Sequence, residues 1–173
     1  ALLQEAVDTK ATFSNLSSLA MYFWKTGDFD TAEELYRDAL KKYKGTGAEP
    51  RAWLHLQLGL MDLDRGRLEQ ALEHYFDADK ELSGWYLVDE HIAEIYVQQG
   101  RVDEALAIYM RVESSTGNPE FMDAIASIHR DTERIMEAEE WTRRAREAYE
   151  KQLLRFPEAA YGHALGHFLE FSQ

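Results

Sequence analysis

The sequence predicts an all-α fold: an array of antiparallel helix hairpins. Three observations predict it. A ten-residue block recurs at Gly27–Tyr36, Gly66–Tyr75 and Gly100–Tyr109, each reading Gly, a charge, an apolar residue, two mostly polar residues, Ala, and Tyr four residues on. The block alanines, Ala32, Ala71 and Ala105, lie 39 and 34 residues apart, a period expected of stacked helix pairs. An apolar helical run precedes each Gly, with a small residue seven positions before it: Ala20, Gly59 and Ala93.

Each position of the block has a physical reason. Gly closes one helix where a backbone with positive φ is needed. The charged residue and its neighbours open the next helix. Ala lets two helix axes approach closely, and Tyr, one turn on, fills the space beside it on the same face. A further small residue or Val follows three positions later, at Ala39, Ala78 and Val112.

This punctuation resembles the tetratricopeptide repeat, whose pattern has an apolar–small pair in helix A, Gly at the turn, and Ala, aromatic, Ala along helix B. The resemblance implies a right-handed superhelical array, a TPR-like α-solenoid, over the whole chain, residues 1–173, and a role in protein binding. Within it, 1–12 form an N-terminal helix with an apolar face of Leu2, Leu3, Ala6 and Val7. Repeat 1 spans 13–44. The Gly/Pro-containing loop Lys44–Pro50 supplies the extra residues of the longer spacing. Repeat 2 spans 51–83, and its first helix is apolar nearly all round: Trp53, Leu54, Leu56, Leu58, Leu60, Met61, Leu63. Repeat 3 spans 85–117.

Residues 119–156 form a divergent fourth repeat. No Gly marks its turn, where Asp131-Thr132-Glu133 stands, and Thr142 replaces the aromatic residue. Its second helix runs past the usual stop to Phe156. Glu139 with Arg143, Glu140 with Arg144, and Glu147 with Lys151 are expected as i,i+4 pairs along it. Residues 157–173 match only the first helix of a fifth repeat. So apolar a terminal helix either docks on its own array or is followed by more chain, and continuation beyond Gln173 is the expectation. Ala1 in place of Met is read as a processed or trimmed start.

Composition narrows the function classes. The net charge of −13 opposes nucleic-acid binding. No apolar run is long enough to span a membrane. Cysteine is absent, which removes disulfides and thiolate metal sites and leaves the compartment open between cytoplasm and periplasm for a soluble chain. From Asp62 to Asp131 sixteen acids face six Lys or Arg. A solvated surface accounts for this, and so does a cationic partner; both stand.

No catalytic constellation is found, so the chain is read as a non-enzyme with no cofactor. His163 and His167 share one helix face at i,i+4, but the Glu of the metalloprotease His-Glu-x-x-His motif is missing, and no metal is assigned. His55 and His74, in the two helices of repeat 2, show no partner by spacing. In the family, helix A of each repeat lines a concave groove. The resemblance places Ser14, Ser17, Ser18, Met21, Trp24, Trp53, Leu56, Leu60 and Leu63 along its apolar part. It places Glu90, His91, Glu94 and Asp123 along its acidic part. The chaperone-tail clamp of one branch of the family is not matched: Ser17 and Met21 stand where that clamp has Lys and Asn, and Leu87 and His91 where it has Lys and Arg. The function this implies is a non-enzymatic scaffold binding a protein or peptide segment, apolar at one end and basic at the other. Trp24, Trp53, Leu56, Leu60, Leu63, Glu90, His91, Glu94 and Asp123 are its contacts. Two alternatives stand beside it. One is a self-assembling module, a homo-oligomer through the C-terminal helix; the other is an accessory domain of a larger protein, including an enzyme.

Overall fold

Why the sequence makes hairpins is visible at the turns. The structure, a computed structural model, describes residues 2–171. Ala1, Ser172 and Gln173, which fall in the expected terminal helices, lie outside the described residues. Ten helices follow one another: α1 (Leu2–Thr9), α2 (Phe13–Lys25), α3 (Phe29–Lys42), α4 (Glu49–Asp64), α5 (Leu68–Glu81), α6 (Tyr86–Gln98), α7 (Val102–Thr116), α8 (Pro119–Asp131), α9 (Ile135–Arg155) and α10 (Pro157–Phe171). No strand occurs among the described residues. Gly27, Gly66 and Gly100 have φ of +90°, +70° and +73°, the left-handed conformation expected of them. In the fourth repeat the same place is taken by Glu133, at φ +59°. The turn survives without its Gly, so the divergent repeat keeps the register Glu133, Arg134, Ile135, Ala138, Thr142, Ala145.

The chain divides into two compact units, Ala1–Val88 and Asp89–Gln173, with the boundary inside α6. In the first unit α1 is tied to α2 by Asn15, whose Nδ2 donates to the carbonyls of Ala6 at 3.0 Å and Lys10 at 2.9 Å. Only part of the expected apolar face of α1 packs: Val7 meets the core, whereas Leu2 is 81% exposed. The core joins Leu16, Ala20 and Trp24 of α2 to Ala32, Tyr36 and Ala39 of α3 and to Leu54, Leu58 and Met61 of α4. Thr12 and Asp28 cap α2 and α3, accepting hydrogen bonds from the backbone N–H of Asn15 and Thr31 at 3.2 Å. Between α4 and α5 the approach is so close that a Cβ on Gly59 would stand 2.3 Å from the Tyr75 ring.

In the second unit Ala93, Ala105, Leu106, Tyr109 and Val112 pack with Phe121, Ile125 and Ile128. Asn118 caps α8 ahead of Pro119. Helix α9 runs for 21 residues. Its ion pairs differ from the i,i+4 expectation. Arg143 pairs with Glu140 and Glu147, while Arg144 leaves its own helix for Glu113 of α7 at 2.8 Å. Its guanidinium lies 3.8 Å over the Trp141 ring. A stacked cation aimed at a half-buried carboxylate is better placed than one on an exposed helix face. Helix α10 docks on α9 with Ala160, Ala164 and His167 buried, and Phe168 joins a cluster of Met122, Ala145 and Tyr149.

Candidate functional site

The register inferred for helix A meets two different environments. In the first unit an open, mostly apolar groove of about 600 Å³ lies between α2 and α4. Phe13, Ser14, Ser17, Ser18 and Met21 line it from α2, and Glu49, Pro50 and Trp53 from α4. Met21 is 39% exposed. Trp53 is half-buried, its ring edge-on to Tyr36 with centroids 6.4 Å apart, so the indole is braced from behind and open in front.

The other apolar candidates do not line this groove. Trp24 is buried, and its Nε1–H donates to Asp64 Oδ2 at 2.8 Å. Leu56 is buried as well. Leu60 and Leu63 are half-buried, and Leu60 packs on the core of the unit. Burial corrects the expectation for Trp24 and Leu56, whose side chains are taken up by the protein's own interior. Helix α4 is apolar on most of its circumference because core side chains take up most of it. Of the five apolar contacts named from sequence, Trp53 alone lines the groove. The register places none of Phe13, Glu49 and Pro50, which stand at the helix starts, farthest from the Gly that ends each helix.

In the second unit Glu94 lines a depression of about 450 Å³ with Val97 and Gln98 of α6, Tyr109 of α7, and Ala124, Ser127, Ile128 and Asp131 of α8. His91 Nδ1 stands 2.7 Å from Glu94 Oε2. Glu90 is half-buried, and burial, followed by repulsion from Glu94, raises its carboxyl above the usual range. Asp123 has a structural partner instead: His167 Nδ1 lies 2.7 Å from its Oδ1, joining α8 to α10. Burial raises the pKa of Asp123, and the histidine opposes that shift. Asp123 therefore anchors the last helix more than it faces a partner.

The histidine pair singled out in sequence separates. His167 is buried against Asp123 and Tyr149, whereas His163 is exposed, 3.5 Å from Glu120. A different group comes together. His55 of α4 and His74 and Asp77 of α5 present ligand-capable atoms all within 4.8 Å of one another. Spacing along the chain assigns His55 no partner, because its neighbours lie across a hairpin. The signal that finds them is Gly59: its contact with Tyr75 fixes the hairpin register and puts His55, one turn before Gly59, beside the flanks of Tyr75.

Comparison with known proteins agrees with the helical-repeat fold. Two sequence profiles, both described as tetratricopeptide repeat, match residues 11–78 and 90–117, together just over half of the chain. A search of curated proteins gives no match. Among solved structures, MamA superposes with a TM-score of 0.71 at 16% identity, over 87% of this chain and 86% of that one. A tetratricopeptide repeat protein from Parabacteroides merdae gives 0.67 at 18% identity, over 92% and 73%. Pseudomonas aeruginosa pilF gives 0.68 at 16% identity, over 98% and 80%. At such identities the likeness is one of fold.

Proposed function

The chain belongs to the tetratricopeptide repeat family, and we propose that it is a non-enzymatic scaffold that binds a protein segment carrying an apolar stretch and a basic stretch. The observation that carries this reading is the α2–α4 groove, where Trp53 and Met21 face open space beside small serines. A rigid indole braced by Tyr36 is the kind of anchor that supplies much of the affinity in a peptide complex. Ser14 and Ser18 leave room for side chains of the ligand. In the second unit Glu90 and Glu94 repel one another, and a Lys or Arg from the partner relieves that repulsion. The acids hasten encounter and set orientation more than they add affinity.

The test is a screen of basic amphipathic peptides against the parent chain, Trp53→Ala, Met21→Ala and a Glu90→Lys, Glu94→Lys double variant. The expected result is a loss of at least tenfold in affinity for Trp53→Ala and a smaller one for Met21→Ala. The double variant should lose the dependence of association rate on salt. Peptides that bind all three variants as they bind the parent would place the site elsewhere.

A second reading, self-assembly, is favoured by one feature. Tyr161, Leu165 and Leu169, spaced by one turn along α10, are 64%, 44% and 73% exposed. Such a stripe on a second copy would pair with it. Sedimentation of the parent beside Leu165→Glu, Leu169→Glu decides: a parent dimer that the double variant abolishes supports it, and a parent monomer at about 0.1 mM ends it.

A further inference from the structure

We propose that His55, His74 and Asp77 form a binding site for a divalent transition-metal ion of the zinc class. The site lies within the α4–α5 hairpin of the first unit and is independent of the peptide-binding reading. The three side chains present one ligand atom each, all within 4.8 Å of one another, and all three are half-buried. Two imidazoles and a carboxylate are a donor set that suits zinc, with a fourth position left for water or a partner's ligand.

Three further observations support the assignment. The rings of His55 and His74 have centroids 6.1 Å apart at 36°, so they face one region without stacking. The Nδ1 atoms of both are buried and have no hydrogen-bond partner. Two orphaned imidazole nitrogens in one place are rare unless something is meant to meet them. Beyond the ring of His74, its Nε2 lies 3.7 Å from Asp62 Oδ2, and Asp62 is held by Arg67. At that separation the carboxylate makes no hydrogen bond to the ring, but its charge favours the tautomer with the proton on Nε2, which leaves the Nδ1 lone pair for an ion.

The hairpin is a firm base for such a site. Gly59 and Tyr75 lock α4 against α5 one turn away, so the ligands sit on helices whose spacing is fixed. Tetrahedral coordination at zinc–nitrogen distances needs donor atoms about 3.3 Å apart, which asks the side chains, not the helices, to close in. One cation competes. Lys80 Nζ lies 2.7 Å from Asp77 Oδ1, and the carboxylate must turn its other oxygen to the ion or release the lysine.

The experiment titrates the full chain, free of any affinity tag, with Co²⁺ followed by visible absorption and with Zn²⁺ followed by calorimetry. The expected result is one equivalent bound, with ligand-field bands of a low-symmetry four- or five-coordinate cobalt that Zn²⁺ bleaches. His74→Ala and Asp77→Asn should each weaken Zn²⁺ binding by ten- to a hundredfold, while Lys80→Ala should tighten it. His91→Ala and His163→Ala, at the other exposed or half-exposed histidines, should leave it unchanged. Circular dichroism identifies any variant that has unfolded, and Asp77→Asn, which keeps the size of the side chain, stands in for it. Absence of saturable binding below about 1 mM overturns the proposal, as does binding that survives both His74→Ala and Asp77→Asn.

Discussion

At the scale of single residues, the fourth turn carries a cost that the first three avoid. Glu133 holds φ +59°, where a side chain disfavours the backbone by about 1–2 kcal/mol. Glu133→Gly removes that cost but gives the unfolded chain more freedom, worth about 0.4–1 kcal/mol in the other direction. The first effect is larger, so the variant should gain roughly 0.5–1 kcal/mol in urea denaturation; a loss would show that the carboxylate does something at that turn. His129 sets a second expectation. It is buried near the end of α8, its Nδ1 has no hydrogen-bond partner, and burial, aided by Arg134, lowers its pKa. As pH falls through the ordinary value of about 6.5, the unfolded chain takes up this proton before the folded one does, so stability is lost on acidification. His55 and His74 shift the same way, so the informative quantity is a difference. The slope of stability against pH between about 7 and 5 should be shallower in His129→Leu than in the parent. Equal slopes would mean the ring takes up its proton as readily in the folded chain as in the unfolded one.

At the scale of elements, the block alanines decide how close the helices come. Ala71 and Ala105 have no exposed surface. Replacing either with Leu inserts three carbons into a closed contact, and each should cost about 1–3 kcal/mol, read as a lower thermal midpoint. Unchanged midpoints in both would put the helix contacts elsewhere. This part of the fold was legible because the repeat is a steric code: Gly where φ is positive, Ala where axes meet, Tyr where space must be filled. Glu133 shows how far the code reaches, since Ala138 and Ala145 kept the register when the Gly was gone. Legibility failed where a side chain's surroundings come from two directions at once. Trp24 stands three residues before Gly27 and Trp53 thirteen before Gly66, yet the register puts both on the same helix face. One is sealed by Asp64 from another helix and the other opens onto a groove, and a shared face does not foretell which. Asp123 likewise reads as a groove acid until His167, 44 residues later, claims it.

At the scale of the whole molecule, net charge sets two responses to salt that oppose one another. A chain at −13 repels itself when compact, and that repulsion is relieved in the expanded state. Raising sodium chloride from about 10 to 150 mM shortens the screening length from about 30 to 8 Å, enough to damp repulsion across the surface. The same salt weakens surface ion pairs, but pairs such as Lys41 with Asp38 and Lys80 with Asp77 are largely exposed and contribute little. Relief of repulsion outweighs their loss, so the thermal midpoint should rise by a few degrees over this range. Binding of a basic segment should move the other way, because it draws on the field that salt removes. Chloride is the suitable anion, since sulfate strengthens apolar burial and would raise the midpoint for a different reason. A midpoint that falls with chloride would mean that the ion pairs outweigh the repulsion. Affinity for a basic peptide that rises with chloride would mean that the acids of the second unit are not what the peptide meets.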